Sequence, residues 1–391
     1  MSRAKARTRD ISHLIPGNKR IYTDYFDPDY PEPLVRKVIN LLSDLYFRTR
    51  FIGFENLPQR NNPEHPIILA SNHSGMAFPW DAIIFTSGYF RLNRYMMNNA
   101  VRVLTSPMLS DSTLMNPFLI KNFWLRAGAI DATFLNFETM MHYPDSNLMI
   151  YPEGVPGIGK PFSQRYQLQR YSSSFIRMSI KYKVDVVPVA TVNGEYINPW
   201  NTRFGWLNRL VQKIGIPFLP IGFMTLLIPL QPWLFYFAFP ARLTYVLGKP
   251  IKPYEMVDKP WDELTDDEYR AVTEKVKAMM QQQLDAAVQA HGSKPYDVLH
   301  LLKTWLKNLR YFPFYTPCFW PALFAEFDRC YRSGRPEKFT HSWKTYLRSL
   351  VHNPITIAFF IPILGWVPIL LRGLRNRRQL RRERADAATT G

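Results

Sequence analysis

Four apolar runs of strand length, 66–70, 148–151, 184–190 and 243–247, are separated by stretches with helical periodicity. Strands that alternate with helices and stay apolar along their length specify an α/β domain whose sheet is buried on both faces. The fold expected is a mixed sheet flanked by helices. In such sheets, ligand crevices form just beyond the C-terminal ends of the strands. The chemically distinctive residues of this chain follow the first three runs. A length of 391 residues allows one sizeable core with appendages, and 47% hydrophobic and 15% aromatic residues exclude disorder over most of it.

The flanking segments carry their own patterns. Residues 1–30 read as a basic arm with no apolar run long enough for a signal peptide. Over 34–47, Val35, Val38, Ile39, Leu42, Leu45 and Tyr46 recur at helical spacing, and 51–58 read as a short strand and turn. The main domain is expected over 31–292. Within it, 214–239 is an uncharged stretch carrying Pro217, Pro220, Pro229 and Pro232, too many prolines for a straight transmembrane helix. It reads as a hydrophobic, membrane-contacting insertion, with a buried core insertion as the competing reading. Thr265-Asp266-Asp267-Glu268 signals a capped helix running to about residue 290.

A mostly helical C-terminal extension follows. Residues 293–371 read as a membrane-associated helical and aromatic region. In it Leu299, Leu302, Trp305, Leu306 and Leu309 form a stripe, with Lys303, Lys307 and Arg310 beside it. The uncharged run 355–371 is at the lower limit for spanning a bilayer and contains Pro362 and Pro368, so a re-entrant or surface-lying anchor competes with a span. Residues 372–391 read as a basic disordered tail, placed on the cytoplasmic side of a membrane by its arginines.

The formal charge of +18 suits a polyanion, either nucleic acid or anionic lipid. The apolar clusters beside the charge favour membrane, and no helix-turn-helix, zinc-finger or RNA-binding signature is present. Two cysteines, Cys318 and Cys330, give neither a disulfide framework nor a zinc site, and a reducing compartment is the default.

Two constellations carry chemistry. His73 follows the run Ile67-Ile68-Leu69-Ala70-Ser71-Asn72, and Asp81 lies eight positions on, at the start of a helix. A carboxylate that orients an imidazole makes it a general base for a hydroxyl. The bland reading is a loop histidine and a helix-capping aspartate. The second constellation is Leu148-Met149-Ile150-Tyr151-Pro152-Glu153-Gly154, followed by Lys160, Arg165 and Arg170. Its glycines let backbone approach a ligand, and its cations suit phosphate or a coenzyme A tail. The bland reading is a turn with a solvated basic face.

Together these blocks resemble the glycerophospholipid acyltransferase family of the PlsC type, on a divergent branch. Gly53-Phe54-Glu55-Asn56-Leu57-Pro58 looks like that family's entry to the first strand, and Val187-Pro188-Val189 like its final block. The resemblance covers about half the chain, near 45–255. It implies an acyltransferase in which His73 is the general base, oriented by Asp81. Asn72, Ser74, Glu153 and Gly154 would line the substrate site, with Lys160, Arg165 and Arg170 meeting phosphate. The donor would be acyl-CoA or acyl-carrier protein, with no resident cofactor or metal, and the default acceptor lysophosphatidic acid.

Two departures stand out. Seven residues separate His73 from Asp81 where the family usually has four, and Pro156 occupies the place of a phosphate-binding arginine. A phosphate-free acceptor such as mono- or diacylglycerol therefore competes with lysophosphatidic acid. A non-catalytic lipid-binding membrane protein is a further alternative, and it expects His73 and Asp81 to lie too far apart to bond. A metal-dependent hydrolase lacks the closely spaced ligand pair such sites show.

Overall fold

Pro31 opens the first long helix, a position where its missing N–H has no partner to lose. The computed structural model describes residues 11–73, 78–112, 114–202, 204–213 and 221–390. Helix α1 spans 31–46 and widens into π-type turns over Val35–Ile39 and Leu42–Tyr46. The stripe seen in the sequence is its buried face, with Val38 and Leu42 fully covered.

Among the described residues, the strands β1 (Arg50–Ile52), β2 (Ile68–Ser71), β3 (Val101–Thr105), β4 (Ile130–Asp131), β5 (Asn147–Ile150), β6 (Val186–Val192) and β7 (Thr244–Leu247) form one open sheet. Their order is β1-β7-β6-β2-β5-β3-β4. All neighbours run parallel except β6 and β7, so the sheet is mixed. The longer helices used below are α2 (Trp80–Leu92), α3 (Phe134–His142), α4 (Ser174–Tyr182), α5 (Asp266–His291), α6 (Val298–Lys307), α7 (Trp320–Arg332), α8 (Trp343–His352) and α9 (Trp366–Thr390).

Alternation along each strand builds two cores. Leu69, Met149, Val187 and Tyr245 face α1, α2 and α7, whereas Ile68, Leu148 and Val186 face α3, α4 and α5. Each fully buried aliphatic side chain contributes roughly 1.5–3 kcal/mol. The C-terminal region shares the first core: Trp320 of α7 is fully buried and meets Trp80 with ring centroids 4.8 Å apart. The Thr265–Glu268 capping box starts α5 as the sequence indicates.

The membrane-contacting role expected for 214–239 is corrected by the structure. Residues 214–220 lie outside the described residues. Over 221–239 the prolines leave only a short helix, Phe223–Leu227, and a tight helical turn, Pro232–Tyr236. Phe235, Tyr236 and Ala238 are buried in the first core, and the Tyr236 hydroxyl donates to the Leu114 carbonyl at 2.7 Å. Part of the apolar surface here is thus used in packing, while Leu226 and Leu230 stay exposed. Among the described residues no helix is long and apolar enough to cross a membrane. The run 355–371 is likewise broken, into Ile355–Ala358 and the start of α9. The segment 372–391, read as a disordered tail, continues α9 as far as Thr390.

Candidate active site

Strands β2, β5 and β6 are adjacent and parallel, so the residues just past their C-terminal ends meet at one edge of the sheet. From β2 come Asn72 and His73, from β5 Tyr151, Glu153 and Gly154, and from β6 Asn193 and Glu195. Helix α2 returns from the loop after β2 and brings Asp81 into its first turn, where the helix dipole favours a carboxylate.

His73 Nδ1 lies 2.9 Å from Asp81 Oδ2. The Asp81 side chain is fully buried, and the His73 side chain is 12% exposed. With the Nδ1 proton donated to the carboxylate, Nε2 carries the lone pair. The seven-residue spacing therefore still closes the pair. Residues 74–77, including Ser74, lie outside the described residues. The imidazole stacks on Tyr151, with centroids 4.3 Å apart. The Tyr245 hydroxyl donates to the Asp81 carbonyl at 2.7 Å, tying α2 to β7. Burial, with the Asp81 charge as a second cause, holds both phenols neutral, well above their usual pKa.

Asn72 is turned inward. Its Nδ2 donates to the Thr191 carbonyl at 3.0 Å and its Oδ1 accepts from the Thr191 N–H at 2.7 Å, which extends the β2–β6 pairing by one side chain. Glu153 is also buried. Its Oε1 accepts the His73 backbone N–H at 2.9 Å and its Oε2 the Gln169 N–H at 2.6 Å. Glu153 thus grips the main chain of the histidine. Gly154 sits at φ 57°, ψ −146°, a conformation open to glycine and strained for other residues.

Lys160 points into the protein. Its ammonium is fully buried, 3.6 Å from Glu153 Oε2 and 3.4 Å from Glu195 Oε1. Arg165 and Arg170 are exposed, Arg165 lying over the Phe162 ring. Arg170 follows Gln169, whose N–H is bonded to Glu153.

Sequence reasoning gave no specific role to Gly157, Tyr151 or Glu195. A Cβ on Gly157 would lie 2.4 Å from Glu153 Cβ and 3.1 Å from His73 Cβ. That glycine lets the short helix Val155–Ile158 close over both. Nothing in the sequence ties Glu195 to Lys160, which is 35 positions away. An apolar cleft begins one residue past Asp81, at Ala82. It is bounded by Leu34, Ile39, Ile83, Phe90, Val103 and Trp124, with Ala127 and Ala129 on its wall.

No family model matches the chain. An uncharacterized protein of Mycobacterium tuberculosis is 26% identical over 262 residues, covering 64% of this chain and 68% of the relative. An uncharacterized protein of Mycobacterium leprae is 26% identical over 227 residues, covering 58% of this chain and 57% of its own. Among solved structures, the 1-acyl-sn-glycerophosphate acyltransferase PlsC from Thermotoga maritima aligns with 71% of this chain and 93% of its own. The identity is 12% and the TM-score 0.33, a distant likeness in both sequence and shape.

Proposed function

We propose that the protein is an acyltransferase that moves a fatty acyl group from a thioester to a lipid hydroxyl, with His73 as general base. The observation that carries this reading is the 2.9 Å His73–Asp81 contact at the sheet edge. It is the arrangement that a proton-abstracting imidazole requires, and it counts against the non-catalytic alternative. Nε2 takes the proton of the acceptor hydroxyl as its oxygen attacks the thioester carbonyl. The tetrahedral intermediate collapses, the carbon–sulfur bond breaks, and the imidazolium returns the proton to the departing thiolate. Asp81 stabilises the imidazolium between those steps. We assign the acyl chain to the apolar cleft along α2, since it is lined by aliphatic and aromatic groups.

Glu153 and Lys160 have a different part from the one the motif resemblance implies. Glu153 holds the His73 backbone, and Lys160 is shared between Glu153 and Glu195. Arg170 is then the residue we assign to an acceptor phosphate, in the default reading with lysophosphatidic acid. A phosphate-free acceptor is the second reading, favoured by Pro156 and by the loss of Lys160 to its ion pairs. Purified protein given labelled acyl-CoA and lysophosphatidic acid, monoacylglycerol or diacylglycerol tests both. Product that disappears with His73→Ala supports acyl transfer, and equal product from that variant overturns it. Product only from the glycerides selects the second reading.

A further inference from the structure

More than half of the exposed large apolar side chains among the described residues fall between 298 and 374. They are arranged in rows. On α6, Leu299, Leu302 and Leu306 are 48–67% exposed at helical spacing. On α8, Trp343, Leu347 and Val351 are 53–76% exposed, four residues apart. On α9, Val367, Leu370, Leu371 and Leu374 repeat the pattern. Such concentrations are rare on a surface that meets only water.

The rows adjoin. Phe312, just beyond α6, contacts Trp343 of α8, with ring centroids 6.5 Å apart. The short helix Ile355–Ala358 packs on both α8 and α9. Each row is flanked by cations: Lys303 and Lys307 on α6, Lys344 on α8, and Arg372 and Arg375 on α9, all exposed. No aspartate or glutamate occurs in α6, in α8, or in α9 before Glu383. Among the described residues these five cations make no ion pair with an acid.

We propose that α6, α8 and the first half of α9 form a docking face that lies flat on an anionic lipid surface. A ten-residue helix spans about 15 Å, half a bilayer core, so these helices rest in the interface rather than cross it. The apolar rows enter the acyl boundary, while the neighbouring lysines and arginines extend their heads to the phosphates. Charge decides the occupant. A face with many cations and no acid complements a sheet of anionic headgroups. The proposal stands independently of acyl transfer.

The test is sedimentation of the full chain with vesicles of phosphatidylcholine alone, or with a third of the lipid replaced by phosphatidylglycerol. Wild type is expected to bind the anionic vesicles and to release as salt rises. The pair Leu347→Glu/Val351→Glu and the pair Lys303→Glu/Lys307→Glu should each bind roughly ten-fold more weakly or worse. Melting temperatures should be unchanged, since all four side chains are exposed. Wild type that ignores anionic vesicles, or variants that bind like wild type, would overturn the proposal. So would a dimer that Leu347→Glu/Val351→Glu dissolves while vesicles do not bind, because the face would then be a protein interface.

Discussion

Tyr151 lies against the imidazole of His73, centroids 4.3 Å apart and planes inclined by 27°. Its buried hydroxyl has no hydrogen-bond partner among the described residues, so the ring is the part that acts on the histidine. Tyr151→Phe should keep kcat within about two-fold, while Tyr151→Ala, which frees the imidazole to rotate, should lower it roughly 10- to 100-fold with KM little changed. Steady-state kinetics of the two variants check this.

Asp81 fixes which nitrogen of His73 carries the proton. Asp81→Asn preserves shape but favours the wrong tautomer, so kcat should fall by about 10²–10⁴. His73→Ala should match or exceed that loss. Thermal unfolding of both variants checks that the loss is one of rate in a folded protein, since either change also disturbs a buried pair.

Lys160 sits between two buried carboxylates, and its removal leaves both uncompensated. Lys160→Met should destabilise the protein by about 3–5 kcal/mol, measured by denaturant unfolding. A raised KM with unchanged stability would instead mean that the ammonium reaches substrate.

Gly157 permits the contact between the short helix Val155–Ile158 and His73. In Gly157→Ala the new methyl group meets Glu153 Cβ at 2.4 Å, so either the helix or the catalytic loop must move. Loss of kcat by about 10²-fold is expected from an ångström-scale displacement of the base. Gly154→Ala acts differently, through strain of about 1–3 kcal/mol, and should appear first as a lower melting temperature.

His341 gives a pH dependence remote from the site. Its Nε2–H donates to the Lys37 carbonyl, and burial pulls its pKa below the usual 6.5. The folded state therefore disfavours the imidazolium. This contribution is fully present above the unfolded value and is lost as pH falls below it toward the folded pKa. The melting temperature of wild type, relative to His341→Gln, should decline as pH is lowered from 6.5. A difference that stays flat with pH would contradict the burial of a neutral ring.

What was legible in the sequence was local. The α5 capping box needs four consecutive residues, and the apolar runs of β2, β5, β6 and β7 announce themselves. The His73–Asp81 pair was legible because both lie in one loop-helix unit. Strand β3 was not, because Arg102 interrupts it. That arginine is buried, bonded to the Gly128 carbonyl at 2.8 Å and lying over Phe26, and a charge in a short run reads as solvent-facing. The burial of Lys160 was hidden for a similar reason. Its ion-pair partner Glu195 enters from the end of β6, and nothing near Lys160 in the chain announces it. The insertion 214–239 has the composition of a membrane segment and, around Phe235–Ala238, the packing of a core. Only tertiary contacts such as Tyr236 with Phe78 and Phe118 separate the two.

The antiparallel turn of β7 has a consequence for synthesis. β7 fills the place between β1 and β6, and its Tyr245 fastens the start of α2, 164 residues upstream. A growing chain carries His73 and Asp81 out of the ribosome long before that fastening exists. Until residue 247 emerges, β1 has no neighbour among the described residues and the start of α2 lacks its bond to Tyr245. Completion of the candidate site thus waits on a strand distant in the chain, and a chain truncated ahead of β7 keeps His73 and Asp81 without the bond from Tyr245.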